Sequence, residues 1–319
     1  MQDFPAFPIA FGGAAISGEG RGYGFGNIKE ADAIDLVHAA FDLGIRVFDT
    51  APIYGFGLSE KRLGLAFKSR REDVFIVSKA GVTWKEKQRV DKSNDPKVVQ
   101  RMLNQSLKDL KTDYIDLYMM HWPDEKQDIR YALEVLRVRQ EKGDIKYIGL
   151  CNSFEEDFNK ASEVATISAI QDSWNAFSHF ETYERYAFLK DNKAVWKMGY
   201  ATLDKGILTA RVDEKRTFDA DDCRSWAPWW KNQKKEKKYQ LVRALQDILP
   251  DYSLTLLDFA LHFAKDKHSF MDVNLVGPKN QKQLAEIIKS IRQPVLQSTI
   301  DEITQRWEAA GYTKEVANA

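Results

Sequence analysis

Short apolar runs and longer amphipathic stretches alternate along the whole chain. Eight of the apolar runs have the length of buried strands, at residues 7–11, 45–48, 74–78, 114–120, 145–150, 167–171, 195–201 and 273–276. Most of them do not alternate apolar with polar positions, as is typical of strands that are covered on both faces. The segments between them carry helix signals. The pattern therefore predicts eight units in which a strand is followed by a helix.

Residues at the ends of the helical segments support the same division. Residues 33–41 place their apolar side chains on one face and are followed by Gly44, a residue type that commonly ends helices. Asp95 before Pro96 is a start signal, because the carboxylate caps free N–H groups and proline fits the first helical position. Gly143 ends the helix before the fifth strand.

Eight strand and helix units in 319 residues predict a (β/α)8 TIM barrel, as a single domain over residues 1–319. Such barrels usually take about 250 residues plus insertions. The competing α/β architecture is a doubly wound open sheet, which normally carries a Gly-x-Gly-x-x-Gly turn after its first strand. The glycine-dense segment 18–26 has a different spacing and is interpreted as a loop.

Composition excludes several classes of partner. Lys plus Arg and Asp plus Glu both number 47, so no global charge attracts nucleic acid or an anionic membrane. No apolar run is long enough to span a bilayer, and no secretion signal is recognisable, which predicts a cytoplasmic protein. Cys151 and Cys223 do not form a disulfide framework, and no Cys/His cluster has zinc spacing. The oligomeric state has no signal in the sequence.

Four chemically reactive residues follow predicted strands. Asp49 and Tyr54 come after the second strand, Lys79 closes the third, and His121 follows the fourth. The C-terminal ends of parallel barrel strands meet at one mouth, where catalytic side chains gather. A carboxylate, a phenol, an ammonium and an imidazole together form a set that can protonate a carbonyl oxygen.

Each member of this set has an expected role. A tyrosine is a poor acid at neutral pH, since its ordinary pKa is about 10. A nearby Lys79 ammonium would stabilise the phenolate and lower the pKa of Tyr54. Asp49 would hold Lys79 in place and charged, and His121 would orient the same carbonyl group by a hydrogen bond. We therefore expect Tyr54 to be the general acid.

The motifs around these residues resemble those of the aldo-keto reductase superfamily. The matching letters are FDTAPIYG at 48–55, SE at 59–60, LG at 63–64, DLY at 116–118 and HWP at 121–123. The resemblance extends from Gly12 to Glu286, which is nearly the whole chain. It implies a (β/α)8 barrel, reduction of an aldehyde or ketone with NADPH/NADP+ (NADH possible), and catalytic roles for Asp49, Tyr54, Lys79 and His121.

The resemblance also implies a cofactor site. The letters GLCNS at 149–153 match the family's GVSNF, so a thiol stands where the family has a serine. Asn152 and Gln171 would hold the nicotinamide amide, and Tyr200 would stack under the nicotinamide ring. The implied cofactor residues are Gly13, Ala14, Asp49, Cys151, Asn152, Gln171, Tyr200, Ala201, Leu203, Gly206, Gly277, Lys279, Gln283 and Glu286.

The segment GPKNQKQLAE at 277–286 resembles the family's adenosine phosphate site. Its residues also make physical sense for an anion. Asn280 can cap the final predicted helix, whose first N–H groups are free donors, and Lys279 and Lys282 add positive charge. This combination favours NADPH over NADH.

Substrate choice is expected to depend on loops. Trp84 and Trp122 follow Lys79 and His121 and are the candidate substrate contacts. The insertion 207–238 adds a tryptophan cluster, at 226, 229 and 230, beside a lysine-rich run. An aromatic cluster suits a sugar or ring-shaped carbonyl substrate, whereas tryptophans also commonly pin a long loop to a barrel. A sugar or another aldehyde is the preferred substrate class.

Two other functions stay open at this point. One is an NADP(H)-sensing regulatory or binding protein on the same fold, because a fold does not fix a function. The other is an NAD(P)+-dependent sugar dehydrogenase, because the reaction is reversible in principle. The intact catalytic set favours a carbonyl-reducing enzyme that needs no metal. Its expected partner is a small-molecule carbonyl compound or sugar, with no nucleic acid and no membrane.

Overall fold

The computed structural model of the protein describes residues 4–19, 22–84, 90–231, 233, 235–266 and 270–314. Its strands are β1 (Ile9–Gly12), β2 (Val47–Asp49), β3 (Phe75–Ala80), β4 (Val82–Trp84), β5 (Val90–Lys92), β6 (Ile115–Met120), β7 (Ile145–Cys151), β8 (Ile167–Ser173), β9 (Trp196–Tyr200) and β10 (Val273–Val276). Eight of them close a parallel barrel in the order β1, β10, β9, β8, β7, β6, β3, β2. All eight predicted strands are present, and the (β/α)8 barrel is confirmed.

The sequence pattern missed one small sheet. Strands β4 and β5 form an antiparallel hairpin directly after β3, with Val82 opposite Lys92 and Trp84 opposite Val90. Each of these strands has three residues, and β5 is exposed throughout. Strands of three residues are too short for a periodicity that a sequence pattern can show.

Helices surround the barrel. They are α1 (Glu30–Asp42), α2 (Leu58–Ala66), α3 (Pro96–Leu110), α4 (Ile129–Glu141), α5 (Glu155–Ser162), α6 (His179–Arg185), α7 (Pro228–Lys231), α8 (Glu236–Ile248), α9 (Leu256–Asp266), α10 (Gln281–Arg292) and α11 (Gln297–Ala309). Asp95 caps α3 as predicted, since its carboxylate accepts hydrogen bonds from the N–H groups of Lys97 and Val98. Within the described residues, no helix is both long and apolar enough to cross a membrane.

The barrel interior is filled by every second residue of the strands. Its apolar cluster contains Ala10, Val47, Phe75, Val77, Leu117, Met119, Ala169, Trp196, Met198, Val273 and Leu275. The ring of Phe4 stacks on Trp196 with centroids 4.5 Å apart and joins this cluster. Because side chains alternate along a strand, the next inward positions at the C-terminal ends are Asp49, Lys79 and Gln171. The packing of the barrel thereby aims three polar side chains at one mouth.

Candidate active site

Asp49 and Lys79 form an ion pair at the C-terminal end of the barrel. Lys79 Nζ lies 2.7 Å from both carboxylate oxygens of Asp49 and 3.0 Å from the carbonyl oxygen of Thr50. Both side chains of the pair are buried. A buried ammonium requires such partners, because removal of a charge from water is costly unless it is paired and hydrogen-bonded. Asp49 thus fixes the position of the Lys79 side chain.

Tyr54 and His121 complete the predicted set above this pair. Their rings meet edge to face with centroids 6.1 Å apart, and Lys79 Nζ lies 5.6 Å from the centroid of the Tyr54 ring. Both rings are half-buried. The structure therefore brings together all four residues that the sequence predicts to be catalytic, although they come from the ends of three separate strands and the loops that follow them.

The pKa of Tyr54 differs from the sequence expectation. Burial raises it well above the ordinary tyrosine value, and the negative charge of Asp49 raises it further. The lowering expected from Lys79 does not prevail, because the lysine is bound to Asp49 and Thr50. In this structure Tyr54 is a protonated phenol, which can donate a proton but needs help to lose it.

His121 is a neutral imidazole. Burial lowers its pKa well below the ordinary histidine value, and the positive charge of Lys79 lowers it further. A neutral imidazole donates one N–H and resists protonation, so it suits a hydrogen bond to a carbonyl oxygen.

The residues expected to hold the nicotinamide amide form a network next to this site. Asn152 Nδ2 donates to the carbonyl oxygen of His121 at 2.9 Å, and its Oδ1 accepts from the Tyr200 hydroxyl at 2.7 Å. Gln171 Nε2 donates to Asp49 Oδ2 at 2.8 Å, and Cys151 Sγ lies 3.6 Å from Gln171 Oε1. The polar groups of both amides thus have protein partners.

Burial also decides the state of the thiol in this network. It raises the pKa of Cys151 well above the ordinary value, although the charge of Lys79 acts in the opposite direction. A protonated thiol is a weak hydrogen-bond donor, whereas the serine hydroxyl that the family has at this position is a stronger one. Cys151 can therefore occupy the serine position without introducing a negative charge.

The predicted phosphate segment lies at the other end of the mouth. Asn280 caps α10 through the N–H of Gln283, at 2.9 Å, and Gln283 Oε1 accepts from the backbone N–H of Lys279 at 2.8 Å. Glu286 pairs with Arg211 from the insertion after β9. Gly277 is exposed, and a side chain there would approach Ala15.

Lys279 is held differently from the expectation that its charge is free for a phosphate. Its Nζ donates to the carbonyl oxygens of Ala15 and Gly26, both at 2.8 Å. Burial lowers the pKa of Lys279 to about 8; Asp222 opposes this shift, whereas Arg62 and Arg224 add to it. Lys279 therefore ties the start of α10 to the loop after β1, and an ammonium group at a helix start is chemistry that fits an anionic phosphate.

The remaining cofactor candidates lie in the loops that connect these two ends. Gly13 packs so closely on the β2 end that a side chain would meet the carbonyl oxygen of Asp49 at 2.6 Å. Ala14 follows it in the same turn. Ala201 and Gly206 have positive φ angles of 54° and 105°, and Leu203 lies between them. This run of unusual backbone turns the chain sharply just beyond Tyr200.

The loop after β9 contains a buried carboxylate that the sequence reading did not single out. Asp204 Oδ2 lies 3.0 Å from Lys238 Nζ in α8, and Oδ1 lies 3.4 Å from Lys205 Nζ. Burial raises the pKa of Asp204, but the charges of Lys205 and Lys238 outweigh burial and lower it overall. One lysine of the run near 231–238 is thus a buried partner, and Asn232 and Lys234 lie outside the described residues.

Aromatic rings line the opening above Tyr54. Trp84 stacks on Phe56 with centroids 4.8 Å apart, and Tyr23 meets Trp226 edge to face at 5.1 Å. Trp122 follows His121 and has Lys92 Nζ 5.1 Å from its ring. Sequence reasoning singled out Trp84, Trp122 and the insertion tryptophans but missed Tyr23 and Phe56, which pack against the same small apolar cluster as Tyr54. Their positions directly beside the catalytic motif and inside the glycine-dense loop were the available signals.

The three insertion tryptophans differ in their surroundings, although the rings of Trp229 and Trp230 meet edge to face at 6.4 Å. Trp230 is buried in one apolar cluster with Leu245 of α8 and Phe259 of α9, so it pins the insertion to the body of the protein. Trp226 contacts Tyr23 at the opening, whereas Trp229 is exposed and lies near Lys205. Trp230 thus fits the interpretation that tryptophans pin the loop, whereas a substrate contact of Trp226 or Trp229 stays a prediction.

Comparisons with known proteins find the same fold and motifs in aldo-keto reductases. The aldo/keto reductase family matches residues 8–308. Aldo-keto reductase YhdN of Bacillus subtilis is 33% identical over 82% of this chain and 78% of its own length. NADH-specific methylglyoxal reductase of Escherichia coli is 25% identical over 83% and 84%. The solved structure of a glycerol dehydrogenase from Gluconobacter oxydans covers 95% of this chain and 93% of its own, at a TM-score of 0.79 and 26% identity.

The family match extends over the same residues as the motif resemblance and the barrel. Aldo-keto reductases are (β/α)8 barrels that act on small-molecule carbonyl compounds with a nicotinamide cofactor, in agreement with the expectation of NADPH with NADH possible. The chain therefore belongs to the aldo/keto reductase family and is an oxidoreductase of carbonyl compounds.

Proposed function

We propose that this protein reduces small-molecule aldehydes or ketones to alcohols, with NADPH as the preferred cofactor and Tyr54 as the general acid. The observation that carries the proposal is the meeting of Asp49, Lys79, Tyr54 and His121 at one mouth of the barrel. Residues 1–319 form a single domain in this proposal, supported by a family match that spans residues 8–308.

The side chains divide the proton chemistry among them. When bound, the cofactor supplies the hydride that reduces the carbonyl carbon. Tyr54 holds the proton for the carbonyl oxygen, and its raised pKa keeps it protonated at neutral pH. As negative charge develops on that oxygen, the phenol transfers its proton and the Lys79 ammonium stabilises the phenolate that is left.

His121 orients the carbonyl group. Its lowered pKa keeps the ring neutral, so it donates an N–H to the oxygen without competing with Tyr54 as the proton source. Asn152 supports this position from behind, since it binds the backbone oxygen of His121 at 2.9 Å.

The phosphate end supports NADPH over NADH. Lys279 places a positive charge before the start of α10, and Arg62 and Arg224 lie nearby, each paired with a carboxylate, Glu19 and Asp222 respectively. A 2′-phosphate would bind the Lys279 ammonium in place of the carbonyl oxygens of Ala15 and Gly26. The rings around the opening favour a substrate with a planar or apolar part next to its carbonyl group.

A second candidate is oxidation of a sugar or polyol with NADP+ or NAD+. The observation that favours it is the structural likeness to a protein named glycerol dehydrogenase. The same side chains serve this direction, because Tyr54 as a phenolate would accept the alcohol proton. A pure cofactor sensor is less well supported, because it has no need of the buried Asp49 and Lys79 pair.

The test is cofactor oxidation with a panel of aromatic aldehydes, diketones and aldoses, on wild type and Tyr54→Phe. We expect kcat to fall about 100- to 10,000-fold in the variant, since that is the range for loss of a general acid. Binding of NADPH, measured by fluorescence titration, should persist. The control is Tyr131→Phe, which changes an exposed tyrosine on α4. Tight NADPH binding by a wild type that reduces no member of the panel would point to the sensing role.

A further inference from the structure

Gln171 and Asp49 are joined by a hydrogen bond across the barrel. Strands β8 and β2 lie opposite each other, with three strands between them in either direction around the barrel. Gln171 Nε2 nevertheless lies 2.8 Å from Asp49 Oδ2, and both side chains are about 2% exposed. This buried contact spans the interior at the C-terminal ends of the two strands.

The orientation of the Gln171 amide follows from the chemistry of its partners. An ionised carboxylate accepts hydrogen bonds and has none to donate, so the atom that faces Asp49 must be the amide nitrogen. The amide oxygen then faces Cys151, whose protonated thiol lies 3.6 Å away. Both ends of the amide are satisfied inside the protein.

Asp49 Oδ2 has two donors in this arrangement. It accepts from Lys79 Nζ at 2.7 Å and from Gln171 Nε2 at 2.8 Å. The second donor stabilises the negative charge of the carboxylate. After burial, that charge is the largest effect that disfavours the phenolate of Tyr54. A hydrogen bond to a charged group is also stronger than one between neutral groups.

We propose that Gln171 is a positioning residue for the catalytic ion pair, which acts through Asp49 on Lys79 and Tyr54. This inference rests on the proposed function, because it concerns the same proton transfer. It differs from the role that the family resemblance implies, in which Gln171 holds the nicotinamide amide. The two roles predict different losses when the amide is removed.

Two variants separate these roles. Gln171→Met keeps the length of the side chain but has no donor, whereas Gln171→Glu has a donor only when it is protonated. For Gln171→Met we expect kcat to fall about 10- to 100-fold, because a hydrogen bond to the charged Asp49 is lost. The Kd of NADPH should stay unchanged within about threefold. For Gln171→Glu, kcat relative to wild type should rise as the pH falls, since protonation restores the donor to Asp49.

A weakened Kd for NADPH in both variants, with kcat unchanged and no recovery at acidic pH, would overturn the positioning role in favour of the nicotinamide contact. Ser173→Ala is the matched control. It alters the same strand at a side chain that bonds to Ser178, 3.0 Å away, and leaves the contact with Asp49 in place.

A second measurement needs neither cofactor nor substrate. In wild type, Gln171→Met should lower the Tm of the cofactor-free protein. In an Asp49→Asn background the same substitution should lower the Tm by less, because the neutral side chain at position 49 gains less from the Gln171 donor than a carboxylate does. Equal losses in both backgrounds would show that the contact carries no energy and would end the proposal. If wild type reduces no carbonyl compound, the proposed function fails, but this thermal coupling still tests the contact itself.

Discussion

Lys79 donates both to the carboxylate of Asp49, at 2.7 Å, and to the carbonyl oxygen of Thr50, at 3.0 Å, inside a barrel mouth where neither charge reaches water. Such a pair is costly to break because removal of one partner leaves the other charge buried. A costly ion pair at the ends of two neighbouring strands is explained by a role in proton transfer at the nearby phenol of Tyr54.

Breaking the pair should therefore separate stability from activity. We expect Lys79→Met to lower the free energy of unfolding by about 3–5 kcal/mol, since Asp49 is left as an unpaired buried charge. Adding Asp49→Asn removes that charge and should restore much of the stability without restoring turnover. Chemical denaturation and carbonyl reduction, measured on the single and double variants, check both parts. A double variant less stable than Lys79→Met would contradict this explanation.

Cofactor preference should depend on pH through Lys279. Burial lowers the pKa of Lys279 to about 8, so the ammonium of the free protein loses its proton as the pH rises through that value. The ratio of the NADH Kd to the NADPH Kd should then decrease between about pH 7 and pH 9, because only the charged lysine attracts the extra phosphate. Fluorescence titration with both cofactors measures it.

Lys279→Met should abolish that pH dependence and weaken NADPH more than NADH. Lys289→Met, at an exposed position near the end of α10, is the control. If Lys279→Met weakens both cofactors equally, Lys279 serves only to tie the loop after β1 through Ala15 and Gly26.

Glu60 should make folding stability depend on pH. Burial raises its pKa to about 7, although hydrogen bonds from Ser78 and Ser106 act in the opposite direction. Oε1 accepts from Ser78 Oγ at 2.7 Å, whereas Oε2 has no partner among the described residues, as suits a protonated carboxyl group. Between about pH 4.5 and pH 7 the folded protein keeps a proton that the unfolded chain has lost, so this group lowers the free energy of unfolding as the pH rises.

The Glu60→Gln variant tests this linkage. An amide imitates the neutral acid at every pH, so its stability relative to wild type should increase from about pH 5 to pH 8, by about 3 kcal/mol in total. Thermal unfolding across that pH range checks the trend. The exposed Glu72→Gln is the control and should leave the pH dependence unchanged. A constant difference between Glu60→Gln and wild type would contradict the expected titration.

The rings at the opening should act on substrate binding. We expect Trp84→Ala and Trp122→Ala to raise KM for an aromatic aldehyde about 10-fold, in line with the loss of one aromatic contact, with little effect on kcat. A short aliphatic aldehyde should be affected less. Trp229→Ala is a control with similar exposure, whose ring contacts Lys205. Equal effects of all three variants on both substrates would rule out a specific contact.

The sequence by itself determined the barrel and the identity of the catalytic candidates. Buried parallel strands are apolar along their whole length, and helix caps such as Asp95 are local signals. Both can therefore be recognised within a short stretch of sequence. Asp49, Lys79 and His121 also needed only the rule that functional residues follow barrel strands. The two short strands of the hairpin had no such signal.

Only the tertiary structure decided how these residues are coupled. Gln171 meets Asp49 across 122 positions of sequence, and Lys279 reaches carbonyl groups at the other end of the chain. Such contacts depend on barrel closure and on side-chain direction, which no local pattern carries. The pKa of Tyr54 shows the same limit, because the direction of its shift is set by burial and by the position of Asp49 in three dimensions.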